Sequence, residues 1–397
     1  VDLPVILKVQ TKSTQESPHT RGGVIMTSII YVGMDVHTTN YTLCCYSMED
    51  DRFFAEVQVE PDAKNILKYL ARIEKQQSRD CRIVCGYEAG CLGYSLYHQL
   101  HAHGIDCVIL APTTMMTKPG KRIKTDRRDA RLISKCLAFH TYSPVYIPTE
   151  VDDAVKEYIR MRDDANSALA RVKQQIIAFC IRHGKIHDGK SYWTNKHLEW
   201  LSSLDLGNKI LSEVLQEYLI RYYQLREQVD MYDMRINELA QAEPYRQKVE
   251  KLGCFRGIAA HTALSFCVEV GDFRRFATAQ QFASYLGLVP GECSSGDKQQ
   301  YTGITKAGNS HLRKLLVETA QVFGRSATKS GKSVALKERQ AKCDSLTVAY
   351  ADKANARLKK KYFKIAMRSK VNIAKTAVAR EMACFIWGMM TDNISCA

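Results

Sequence analysis

Apolar residues fall into two rhythms along this chain. Between residues 29 and 111 they come in short blocks. Ile29-Ile30-Tyr31-Val32-Gly33-Met34-Asp35 is an apolar run ending in a carboxylate, as a buried strand with a functional tip would be. Tyr41 to Ser47 and Phe53 to Val59 are rich in aromatic and β-branched residues and flank the polar turn Met48-Glu49-Asp50-Asp51, which predicts a three-strand meander. Pro61 opens a helix running to about Gln76. Cys81 to Tyr87 predicts another strand, with Glu88 at its end, and a helix from Leu92 to His103 follows. Ile105 to Ala111 predicts a fifth strand. After the basic loop Lys118 to Lys124, a helix begins near Asp126 and runs to about Phe139.

That order, βββαβαβα, is the order of an RNase H-like α/β fold. From about Val151 to Glu250 the strand signals vanish. Leu211, Leu215, Tyr218, Tyr222, Leu225, Val229, Tyr232, Ile236 and Leu239 recur in alternating steps of four and three, the seam of a coiled coil. An earlier helix, Asp152 to Cys180, carries a looser stripe of Tyr158, Met161, Ala165, Ala168, Val172 and Phe179. The two are expected to pair. Spacing alone does not separate an intramolecular helical hairpin from a dimerising one; dimerisation is the expectation adopted. Beyond Lys251, helical patterns cover Thr262 to Val268 and Thr278 to Tyr285, and another runs from Asn309 to Phe323. Between them, Gly291 to Gly308 is rich in Gly, Ser and Lys with little periodicity and predicts an exposed, ordered loop. The pattern therefore divides the chain into a flexible extension (1–25), an α/β domain (26–148), a helical coiled-coil domain (149–250) and a mainly α domain with a basic tail (251–397).

Charge adds a partner. The 57 Lys and Arg against 42 Asp and Glu leave +15, which favours polyanions through counterion release from phosphates. The excess is clustered: Lys118 to Lys135 has eight cations and two acids, and 351–397 has ten and three. Nucleic acid is the expected partner. The 14 cysteines are scattered through apolar stretches without C-x-x-C pairs, so they read as reduced, mostly buried thiols rather than disulfides or a zinc site. No apolar run approaches the ~20 residues of a membrane span, and a cytoplasmic protein is expected.

Asp35 and Glu88 each end an apolar strand, and neighbouring strands would bring them to one sheet edge. Asp126 and Asp129, three apart, share a helix face, with Thr125 placed to cap it. Taken singly, the helix acids would be complements of the positive helix N-terminus. Together with two strand-end acids and a cationic loop, the four suit hard divalent ions straddling a phosphate. Gly33-Met34-Asp35-Val36-His37, Gly86-Tyr87-Glu88-Ala89 and Lys124-Thr125-Asp126-Arg127-Arg128-Asp129-Ala130 resemble the DEDD transposases of bacterial insertion sequences, the bridge-RNA-guided serine recombinases. The resemblance runs over nearly the whole chain from Met26. It implies a RuvC-like first domain, Mg²⁺, as two ions, on Asp35, Glu88, Asp126 and Asp129, and excision and integration of an insertion sequence. It further implies donor and target DNA duplexes, a structured guide RNA, and a dimer or tetramer acting at the nucleoid.

A second block, Glu292-Cys293-Ser294-Ser295-Gly296-Asp297-Lys298, is by itself an ordinary loop sequence. It has what a serine nucleophile needs: a hydroxyl, glycine for close backbone approach, and cations in Lys298, Lys306 and Arg313. It resembles the family's C-terminal motif, which implies a phosphoserine intermediate at Ser295, with Ser294 as the alternative. Lys121, Arg122, Lys124, Arg127, Arg128 and Lys314 complete the expected nucleic-acid contacts. Leu252-Gly253-Cys254-Phe255-Arg256-Gly257-Ile258-Ala259 resembles a DNA-gripping helix-hairpin-helix, although Ala259 stands where glycine is usual and a structural turn explains it equally. The competing reading of the acids is a junction-resolving nuclease that uses activated water and no serine.

Overall fold

The computed structural model describes residues 28–77, 81–90, 92–115, 125–292, 300–325 and 331–394. The extension at 1–25 lies outside them. The chain forms two compact units, 1–147 and 148–397.

The first unit is a five-stranded sheet in the order β3-β2-β1-β4-β5. Strands β1 (Ser28–Val36), β2 (Tyr41–Ser47) and β3 (Arg52–Val59) are joined by short turns and pair antiparallel, as such turns require. Helices α1 (Ala63–Gln76) and α2 (Ser95–Ala102) are the crossovers that let β4 (Cys81–Glu88) and β5 (Asp106–Leu110) add in parallel. Alternation along β1 separates two cores. Ile30, Val32 and Met34 pack with Ile66 and Leu70 of α1 and Leu100 of α2, while Tyr31 packs with Ile133 and Leu137 of α3 (Asp126–Ala138). The sheet is thus covered on both faces, consistent with the RNase H-like reading. Helix α1 starts at Ala63 rather than Pro61 because the Asp62 carboxylate accepts from Lys64 N and caps it.

In the second unit, α4 (Glu150–Arg182) and α6 (Lys209–Gln241) run antiparallel, Arg162 meeting Asp233 and Phe179 meeting Tyr218. Leu215, Tyr222, Val229 and Ile236 of the heptad stripe are buried. Val172 and Ile176 of α4, with Leu201 of α5 (Asn195–Ser202), share the core that holds Leu215 and Tyr222. The stripe from which dimerisation is expected is thus occupied inside the chain, as a helical hairpin. Helices α7 (Arg246–Gly253), α8 (Ala260–Val270), α9 (Ala279–Tyr285), α10 (Ser310–Ala320), α11 (Val334–Gln340), α12 (Ser345–Ala366) and α13 (Val371–Met390) follow. They build a core around Phe255, Phe266, Phe282 and Leu316, filled from α13 by Val378, Met382 and Ile386. The stretch read as a loop contains a short ribbon: β6 (Pro290–Glu292) pairs antiparallel with β7 (Tyr301–Ile304). Strands of three and four residues are too short to show a period of two. Among the described residues no cysteine forms a disulfide, and no helix is long and apolar enough to cross a membrane.

Candidate functional site

Parallel pairing of β1 with β4 sets Gly33 beside Gly86 and Met34 beside Tyr87, so Asp35 and Glu88 follow at the same strand ends. Both acids project on the α3 side, because the glycine two residues before each faces that helix. A Cβ on Gly33 would collide with Ala130 O and Ser134 N of α3, and one on Gly86 would lie 2.8 Å from a Leu137 methyl. The absent side chains let α3 settle on the sheet with its N-terminus over the strand ends. Thr125 caps that end, its hydroxyl accepting from Arg128 N at 3.4 Å. Asp126 and Asp129 lie in the first turn.

Asp35, Asp126 and His37 each present a ligand atom within 4.8 Å of the others. Asp129 is close enough to act on the Asp35 carboxyl through its charge. Glu88 is exposed at the neighbouring strand end and is not part of that tight group. Burial pushes the Asp35 carboxyl above its ordinary pKa; His37 pulls against this, and Asp129 and Asp126 push it further up. Asp35 Oδ2 is buried without a hydrogen-bond partner. An orphaned carboxylate oxygen facing further carboxylates and an imidazole is a donor set that fits a divalent cation. His37 is absent from the expected site; its signal was the i, i+2 spacing from Asp35 on an extended strand.

The remaining candidates are placed unequally. Lys121, Arg122 and Lys124, and also Ser294, Ser295 and Lys298, lie outside the described residues. Arg127 and Arg128 are exposed on the first turn of α3. The ribbon β6–β7 carries the serine segment between its strands. At its base Lys306 is exposed in a left-handed conformation (φ 56°) and its N–H donates to Gly287 O at 3.1 Å. Arg313 Nη1 donates to Leu286 O (2.9 Å) and Ala307 O (2.8 Å), so that guanidinium also fastens the loop. Lys314 is exposed. In the hairpin between α7 and α8, Arg256 N donates to Asn355 Oδ1, Gly253 O accepts from Arg339 Nε, and Cys254 O accepts from Gln340 Nε2. Those groups serve packing, which favours the structural turn.

One polar cluster was not legible. His311, at the start of α10, donates through Nε2 to Asp163 of α4 (2.8 Å) and through Nδ1 to Glu269 of α8 (3.0 Å). Asn309 Nδ2 donates to the other Glu269 oxygen at 2.6 Å, and His261 Nε2 lies 3.0 Å from Asp163. Burial disfavours the charged imidazole of His311, but its hydrogen bonds to Asp163 and Glu269 raise its pKa to about 9. Burial would likewise raise Asp163, yet the His261 and His311 bonds hold it far below its ordinary value.

Comparison with known proteins gives matches along most of the chain. The profile of the transposase IS116/IS110/IS902 family matches residues 250–338, and an IS110-type DEDD transposase profile matches 32–181. The transposase for insertion sequence element IS1533 of Leptospira borgpetersenii is 32% identical over 340 residues, 84% of this chain and 95% of its own length. The putative transposase y4qE of Sinorhizobium fredii is 36% identical over 307 residues, 77% of this chain and 75% of its own. The transposase for IS1111A of Coxiella burnetii is 26% identical over 268 residues, 64% and 71% of the two chains.

Proposed function

This chain belongs to the IS110/IS116 family of DEDD insertion-sequence transposases, which cleave DNA and transfer strands, and on that premise we propose a serine-dependent recombination assisted by its acids. In this reading Asp35, Glu88, Asp126 and Asp129 hold two Mg²⁺ ions, and Ser295 is the nucleophile. The observation that carries it is that Asp35 and Glu88 stand at adjacent parallel strand ends, with an Asp126 oxygen within 4.8 Å of an Asp35 oxygen. Bound divalent ions would neutralise the non-bridging oxygens of the scissile phosphate. Ser295 Oγ forms an ester bond to phosphorus as the bond from phosphorus to the deoxyribose oxygen breaks, and the serine proton ends on the released sugar hydroxyl. The energy of the broken bond is kept in the phosphoserine, so a hydroxyl from the exchanging strand can reverse the step and join new ends.

Arg127 and Arg128, with Lys121, Arg122 and Lys124 preceding them in sequence, supply the phosphate-positioning charge on the acid side; Lys298, Lys306, Arg313 and Lys314 do so around the serine loop. Donor and target duplexes and a structured bridge RNA are the polyanions this +15 chain takes up, and two or four copies assemble the exchange, with one copy's serine loop serving another's acids. The decisive measurement is trapping of protein–DNA adducts. Ser295→Ala abolishes them and leaves DNA binding within about twofold, whereas Ser294→Ala retains them. Mg²⁺-dependent cleavage that persists with both serines replaced would instead establish the activated-water nuclease. Sequencing the RNA that copurifies with the protein expressed from its own locus tests the guide: a discrete structured species is expected.

A further inference from the structure

His37 is a group that an all-carboxylate centre leaves unexplained. It stands one residue past β1, where its N–H donates to Asn40 O at 3.0 Å and closes the turn into β2. Extended backbone puts residues i and i+2 on one side, so the imidazole comes out beside Asp35. Its Nε2 lies 3.4 Å from Asp35 Oδ2, beyond the range of a good N–H···O bond, and that oxygen is buried with no hydrogen-bond partner. An Asp126 oxygen completes a set within 4.8 Å. Donors that each stand ~2.0–2.2 Å from one ion are themselves separated by about 3–4.4 Å, so this set needs only a small contraction to share a cation. A simple surface ion pair between His37 and Asp35 would give the ring no relation to Asp126.

We propose that His37 is itself a ligand, joining Asp35 and Asp126 around one ion and giving that position a mixed nitrogen and oxygen donor set. This rests on the reading of the acids as a metal centre. Imidazole binds first-row transition ions in preference to Mg²⁺, which keeps to oxygen and water. The position with His37 therefore holds Mn²⁺ more tightly than Mg²⁺, while an ion held by carboxylates alone does not discriminate in this way.

The test is binding and spectroscopy on the full chain, not turnover. Mn²⁺ is titrated and followed by the loss of the aqueous electron-spin signal, and the bound ion is examined for nitrogen modulation of its spin echo. The wild type shows the modulation. His37→Ala and His37→Gln lose it and bind Mn²⁺ about tenfold or more weakly, with Mg²⁺ affinity changed by less than about threefold. His37→Asp also loses the modulation but recovers most of the Mn²⁺ affinity. If bound Mn²⁺ shows no modulation in the wild type, yet Asp35→Asn and Asp126→Asn abolish binding, the acid centre stands and the His37 assignment is overturned. If those two Asn variants bind Mn²⁺ as the wild type does, the metal centre falls, and His37 with it.

Discussion

A methyl group at position 33 would be driven into Ala130 O and Ser134 N, backbone atoms that cannot swing aside. At position 86 the atoms met are the Leu110 and Leu137 methyls, which can turn. Gly33→Ala is therefore expected to cost about 2–3 kcal/mol in denaturant unfolding and to weaken divalent-ion binding by lifting α3, while Gly86→Ala costs less and leaves binding nearly intact. Equal effects of the two would show that α3 is not seated through Gly33. The repeated spacing, glycine two before an acid, was visible in Gly33-Met34-Asp35 and Gly86-Tyr87-Glu88. Its meaning was not, because it depends on β1 and β4 pairing in that register with α3 laid over the pair. His37 escaped for the same reason, since its relation to Asp126 is made only by the seating of the helix.

Helix α10 shows what periodicity omits. Its apolar positions Leu312, Leu315 and Leu316 were legible, but its placement depends on His311 reaching Asp163, 148 positions earlier. The groups facing His311 are Asp163 on α4 and Glu269 on α8, with Arg160 3.9 Å from Glu269 and His261 on Asp163. Because the pKa of His311 is raised to about 9 in the folded chain, above ~6.5 in the unfolded one, its stabilisation is complete below about pH 6.5 and is lost as pH rises through 9. Denaturation midpoints of the second unit should accordingly fall between pH 7 and 9.5. His311→Gln should lower stability at pH 7 by on the order of 2 kcal/mol, by removing the cation that Asp163 and Glu269 share, and flatten that decline. A decline that survives the substitution would assign it to another group. Helix α6 makes the complementary point: its heptad positions mark the face that is buried, but spacing carries no information on whether the partner is another chain or, as here, α4.

At the level of the whole chain, Ile30, Val32 and Ile66 share one core and Phe255, Phe282 and Met382 another, in separate compact units. Calorimetry is expected to resolve two unfolding transitions, Gly33→Ala lowering one and His311→Gln the other. A single transition shifted by both would show that the units melt together. The long strands and helices of both units were readable from the spacing of apolar residues, whereas the ribbon β6–β7 and the His311 cluster, made by short or distant segments, were not.

The last of these helices, α13, also sets a schedule. The carboxylate unit is complete in the nascent chain by residue 147, whereas the core of the second unit still waits for Val378, Met382 and Ile386. Domains fold in the order they leave the ribosome, so a polypeptide released before α13 would hold a finished first unit and an unfinished second one.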